Sequence, residues 1–281
     1  MSGKTLKIGV VAPSRAIEPN IADAARARAE TLFPANAPEI VFHPQCFAAS
    51  GHFAGEDATR LAGFLDFAND PSFDAVWFAR GGYGACRIAE AAAAALEPAA
   101  REKAYLGYSD AGALMAALYG AGCTRVAHGP MPYDIRRKGG EAAVDRALKF
   151  LVDGDRSGLE PSTTDGQPTA AFNIITFSHV IGTPMQPDLT SHVVMLEEVS
   201  EYLYRIDRAL CQITSNRGFR KVAGVRLGRC SDVPENDIDF GMTEEEVVRH
   251  WCEAAAIPYL GRADIGHDAD NKIVPFGLWR G

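Results

Sequence analysis

The sequence predicts an α/β fold, with a larger N-terminal unit built on a parallel sheet and a smaller C-terminal unit of mixed α+β character. Three observations predict it. Short apolar runs alternate with helix-periodic stretches through residue 152, the pattern of a parallel sheet covered on both faces. The texture changes over residues 153–168, where Gly, Asp, Ser, Thr and Pro accumulate. Beyond that stretch, β-rich pieces predominate around two helices. The expected boundaries are 1–153 for the first unit, 154–169 for a linker and 170–281 for the second.

Residues 7–14, an apolar run stopped by Pro13, read as a buried first strand. A helix follows over 21–32, then a strand at 39–42. The amphipathic stretch 56–67 places Leu61, Phe64 and Leu65 on one helical face. Residues 74–79 form a third strand, followed at once by Arg80-Gly81-Gly82-Tyr83-Gly84 and a helix over 88–96. The next strand breaks at Gly107-Tyr108-Ser109 and continues into a helix reaching 118; a strand at 125–130 and a helix over 141–152 complete the unit. In the second unit, strands are expected at 171–176, 191–196, 222–227 and 272–275, and helices at 202–216 and 243–256. The last helix opens with the capping box Thr243-Glu244-Glu245-Glu246.

The chain has 281 residues, of which 47% are apolar and 23% charged, the values of an ordinary soluble globular protein. A formal charge of −8 argues against a nucleic-acid partner. The start runs directly into a strand-like segment without the apolar core of a signal peptide. The Ala-rich stretch 88–100 is interrupted by Glu90, Glu97 and Pro98 and is too short to span a bilayer. A cytoplasmic protein without membrane contact is expected. Six dispersed cysteines, with no Cys-x-x-Cys pair, argue against a zinc site or a disulfide framework and read as buried thiols.

Ser109 has two readings. A serine at a strand-to-helix turn is how an α/β protein exposes a nucleophile, but Ser and Asp are also favoured helix N-caps. The turn at Gly81 and Gly82 can bring backbone amides close to a reacting carbonyl, although its spacing is not that of a dinucleotide fingerprint. A nucleophilic serine needs a base and a carboxylate to orient that base. Among seven histidines, His267 follows Gly266 in a loop and His128 is its competitor; either could be simply structural. Glu197-Glu198 closes an apolar strand, and alternation lets only one of the two face a given cleft. Arg205 and Arg208 could hold a carboxylate or form surface ion pairs. An α/β-hydrolase elbow is a poorer match, because no His-Gly-Gly-Gly segment occurs and Ala111 replaces the elbow's final glycine. A peptide-binding protein without catalysis is a further alternative.

Taken in order, Arg80-Gly81-Gly82-Tyr83-Gly84, Gly107-Tyr108-Ser109-Asp110, His128-Gly129-Pro130-Met131, Leu196-Glu197-Glu198-Val199, Tyr204-Arg205-Ile206-Asp207-Arg208 and Gly266-His267 resemble the LD-carboxypeptidase family of serine peptidases, which includes the microcin C self-immunity peptidases. With Lys7–Ser14 and the stretch 53–84, the resemblance spans nearly the whole chain. It implies a three-layer, flavodoxin-like or amidotransferase-like first unit. It also implies a Ser109-Glu197-His267 triad, split between the two units, and an oxyanion hole from the amides of Asp110 and of Gly81 or Gly82, with Gly81 preferred. The implied activity is release of terminal D-alanine from a murein tetrapeptide, without cofactor or metal, by a cytoplasmic and commonly dimeric enzyme; a peptidyl-nucleotide substrate is the alternative. Arg80 and Arg205 are the candidates for holding a substrate carboxylate. Two departures bear on specificity: Ala171-Phe172-Asn173-Ile174 stands where relatives carry Gly-Gly-Asn-Leu, and Asp268-Ala269-Asp270-Asn271-Lys272 replaces a proline-containing continuation after His267.

Overall fold

The computed structural model describes residues 5–278; residues 1–4 of the expected first unit and 279–281 of the expected second unit lie outside the described residues. Two sheets organise the chain. Strands β1 (Lys7–Val11), β2 (Glu39–Phe42), β3 (Ala75–Phe78), β4 (Ala104–Gly107) and β5 (Arg125–His128) are mutually parallel in the order β2-β1-β3-β4-β5, the doubly wound order of flavodoxin-like folds. Alternation within the strands makes two cores. Ile8 and Val10 pack with helices α1 (Pro19–Leu32) and α5 (Gly140–Asp153), while Val11, Val76, Phe78 and Tyr105 pack with α2 (Asp57–Ala68), α3 (Cys86–Ala94) and α4 (Ala111–Gly120). α4 is apolar all round because it is covered on both sides, by the sheet and by α6 (Ile174–Val180) of the second unit.

The second unit is more regular than the mixed α+β texture expected from its sequence. β6 (Thr169–Asn173), β7 (Val193–Val199), β8 (Gly224–Ser231) and β9 (Tyr259–Arg262) form an entirely parallel sheet in chain order. Helices α6, α7 (Leu203–Ser215) and α8 (Glu244–Ala254) connect them, and α8 carries the expected capping box. β10 (Val274–Pro275) then returns to the first sheet and pairs antiparallel with β5. Thr169 and Gly277 exchange two backbone hydrogen bonds, and one apolar cluster contains Leu114 and Met115 together with Phe172, Phe177 and Phe276. The two sheets therefore share a core. No helix of the described residues is long and apolar enough to cross a membrane.

Candidate active site

Ser109 closes the turn from β4 to α4 with φ at +61°, in a left-handed region that costs a non-glycine residue about 1–2 kcal/mol. Such a corner presents its side chain at the carboxyl end of the strand. Ser109 is not an ordinary cap: Asp110 takes the N-cap position of α4, and no side chain caps the helix. Gly81, in the turn after β3, lies directly against it. A β-carbon on Gly81 would stand 2.8 Å from Ser109 Oγ, so only glycine allows this approach. Gly82, with φ at +120°, backs instead onto the Arg15 side chain.

The paired acids divide as strand alternation requires. Glu197, fully buried, accepts a hydrogen bond of 2.6 Å from Nδ1 of His267. Glu198 turns to the start of α6, where it accepts from Asn173 Nδ2 at 2.6 Å and from the amides of Ile175 and Val199 at 2.9 Å. Burial, and after it the charge of Glu197, pushes the Glu198 carboxyl up to about 7. A shift of register between β7 and β8 falls at Glu197, where a β-carbon on Gly228 would come within 2.8 Å of Glu197 Cβ.

His267 lies in the loop between β9 and β10, and the loop is tied down on both sides. The Arg229 guanidinium binds Asp264 at 2.5 Å and both oxygens of Asp268, bracketing His267. Asn271 Oδ1 accepts from the Gly266 amide at 3.1 Å, and Arg146 of α5 donates to the carbonyls of Ala269 and Asn271. Burial works against the imidazolium, but Glu197, joined by Glu198 and Asp134, outweighs it and holds the His267 pKa above its ordinary value. With Nδ1–H committed to Glu197, Nε2 is the ring nitrogen left to accept a proton.

His128, the competing histidine, is buried and donates from Nε2 to Asn271 Oδ1 at 3.1 Å; burial drives its pKa down to about 4. Tyr108 joins these groups, its ring centroid 4.8 Å from that of His267 and 5.4 Å from that of His128. Its hydroxyl donates to Asp134 at 2.7 Å. His267 thus reaches the residue next to Ser109, although among the described residues no hydrogen bond joins Ser109 Oγ to the imidazole.

Arg80 stacks 3.8 Å over the Tyr133 ring and gives one donor to the Ala16 carbonyl, leaving further donors of the guanidinium. Arg205, on α7, pairs with Glu201 at 3.2 Å and lines a cavity of about 590 Å³ with Ile175, Ser178, His179 and Arg208. Sequence reasoning missed Arg229, Asn271, Ser14 and Arg60. The acids on either side of His267, Asp264 and Asp268, were the only local sign of Arg229.

The sequence matches the LD-carboxypeptidase N-terminal domain over residues 8–129 and the LD-carboxypeptidase C-terminal domain over residues 169–280. The chain belongs to the LD-carboxypeptidase family. It is a serine-type carboxypeptidase, a hydrolase. This carboxypeptidase is 24% identical to the murein tetrapeptide carboxypeptidase of Pseudomonas aeruginosa, an alignment covering 96% of this chain and 91% of that one. Its fold is that of the muramoyltetrapeptide carboxypeptidase from Oxalobacter formigenes, with a TM-score of 0.70 at 20% identity over 96% of this chain and 93% of that chain. It is also that of the microcin C7 self-immunity protein MccF, with a TM-score of 0.77 at 16% identity over 98% and 92%. One MccF structure holds glutamyl sulfamoyl guanosine.

Proposed function

We propose that this carboxypeptidase releases the terminal D-alanine of murein tetrapeptides through an acyl-enzyme on Ser109, with His267 as general base and acid and Glu197 as its orienting carboxylate. The observation that carries the reading is the buried 2.6 Å Glu197–His267 hydrogen bond set against Tyr108, the neighbour of Ser109. Ser109 Oγ attacks the carbonyl carbon at the L-centre of the diamino acid while Nε2 of His267 takes the hydroxyl proton, and Glu197 stabilises the imidazolium. The carbonyl oxygen gains the negative charge between the amides of Asp110 and Gly81. The C–N bond then breaks, and His267 returns the proton to the amine of the leaving D-alanine. Water, deprotonated by His267, cleaves the ester and regenerates Ser109.

Contact with Ser109 favours Gly81 over Gly82 as the second donor. The free carboxylate of the leaving D-alanine is assigned to Arg80, which adjoins Gly81 in sequence and keeps spare donors, rather than to Arg205, which is paired with Glu201. A cytoplasmic location and a homodimer belong to the same proposal. The test compares kcat/KM for D-alanine release from murein tetrapeptide with kcat/KM for cleavage of an aminoacyl-sulfamoyl nucleotide, both followed by mass spectrometry. The proposal expects the tetrapeptide to be preferred; preference for the nucleotide would redirect the assignment to that substrate.

A further inference from the structure

Three loops meet at the carboxyl ends of β1, β3 and β4, and two buried charged side chains hold them together. The Asp110 carboxylate, 7% exposed, uses one oxygen, Oδ2, to accept from Ser14 Oγ at 2.5 Å and from the Ala85 amide at 2.8 Å. Arg60, whose side chain is fully buried on α2, donates from Nη1 to the carbonyls of Pro13 and Gly84, the latter at 2.8 Å, and from Nη2 to Asp57. The Gly84–Ala85 peptide is therefore gripped at both ends, its C=O by the guanidinium and its N–H by the carboxylate. The Pro13–Ser14 segment is gripped likewise, through the Pro13 carbonyl and the Ser14 hydroxyl.

An arginine can only donate and a carboxylate only accept, so this arrangement fixes which way the shared peptide points. It is also expensive to bury: burial pushes the Asp110 carboxyl up from its ordinary value, and the donors from Ser14 and Ala85 and the charge of Arg60 act against that. Glycine spacing leaves no slack. A β-carbon on Gly84 would meet Arg60 Nη1 at 2.9 Å, and one on Gly82 would meet Arg15 Cδ at 2.5 Å.

We infer that Ser14, Arg60 and the Asp110 side chain form a clasp of positioning residues that locks the Gly81–Gly84 turn against Ser109 and so sets the direction of the oxyanion-stabilising amides. The inference rests on the proposed role of Ser109, Gly81 and the Asp110 amide. None of the three side chains needs to touch substrate. Hydrogen bonds to an oxyanion are worth most when their direction is fixed before charge develops, so a loosened clasp weakens the transition state and leaves ground-state binding intact.

The experiment uses the full chain and the variants Ser14→Ala and Arg60→Lys, each checked for native folding by near-ultraviolet circular dichroism. Two readouts are compared: kcat and KM for D-alanine release, and the rate at which a serine-directed diphenyl phosphonate labels Ser109. Labelling joins Ser109 Oγ to phosphorus and expels phenoxide, with the phosphoryl oxygen occupying the oxyanion position, and needs no natural substrate. The clasp predicts a fall of about tenfold in kcat and in labelling rate for Ser14→Ala, with KM within about twofold; this is less than the 10²–10³ for deleting a donor outright. Arg60→Lys, which keeps the charge but not the fork, falls in the same direction and serves if Ser14→Ala does not fold. Wild-type labelling rates and kcat in the folded variants overturn the clasp, as does a change confined to KM. Slowed labelling in the variants of an enzyme that releases no D-alanine leaves the clasp standing and removes the substrate assignment. A Ser109→Ala enzyme that still turns over removes the nucleophile and the clasp with it.

Discussion

At the scale of single residues the account turns on Gly81, Glu197, Glu198 and His267. Gly81→Ala forces a methyl group into Ser109 Oγ, so kcat is expected to fall by about 10²–10³, the cost of losing an oxyanion donor, in a protein of unchanged fold by circular dichroism. The pH dependence follows from the charge around His267. The imidazole must be neutral to take the serine proton, and its pKa is raised, so kcat/KM falls as pH drops through a midpoint above 6.5, the ordinary histidine value. Above about 7 Glu198 carries a negative charge that helps to raise that midpoint. Glu198→Gln removes the charge and is expected to move the acid limb of the kcat/KM profile to lower pH; an unmoved or raised limb contradicts the electrostatic picture.

At the scale of elements, β5 and β10 carry a buried neutral histidine where a strand of each unit meets the other. His128 titrates near 4 when folded against about 6.5 when unfolded, so the unfolded chain binds the extra proton first as pH falls. Its contribution is complete above pH 6.5 and is lost progressively below it. Between pH 7 and pH 5 this amounts to about 2 kcal/mol, and urea unfolding of His128→Gln is expected to show a difference between the two pH values smaller by about that amount. Most elements were legible because burial imposes a period on the sequence: the capping box of α8 stands where the residues predicted it, and in α2 Phe64 is buried as expected, although Phe67 and Ala68 share its face and Leu61 and Leu65 are half-buried at the edge. α6 was not, since Ile174–Val180 has only seven residues and its N-cap, Asn173, is also the last residue of β6, so that strand and helix run together in one apolar stretch. β9 was missed for a similar reason: four residues after Pro258 are too few to show alternation.

At the scale of the whole molecule, the two sheets are joined by the β10 return, by the paired Thr169 and Gly277 backbones and by one apolar core. Phe172, 1% exposed, stacks on Phe177 and meets the Phe276 ring at 5.0 Å. Phe172→Ala is expected to cost about 3–5 kcal/mol and to lower a single calorimetric transition rather than split it in two, because its partners lie on both sides of the shared core. The same joining explains what sequence showed of the site. Ser109, Glu197 and His267 each sit in a local pattern, a turn, a strand end and a glycine loop, that left alternatives open, and it was the resemblance to the family that implied their combination. Ser14, Arg60, Arg229 and Asn271 act mainly through partners distant in sequence, such as Ser14 on Asp110, Arg60 on Gly84 and Asn271 on His128, and no local spacing encodes such contacts. The most direct measurement is the rate of D-alanine release from murein tetrapeptide by the wild-type enzyme and by Ser109→Ala and His267→Ala at equal folded concentration. The account predicts release by the wild type and a loss of about 10⁴-fold or more in both variants; release by Ser109→Ala at the wild-type rate would contradict it.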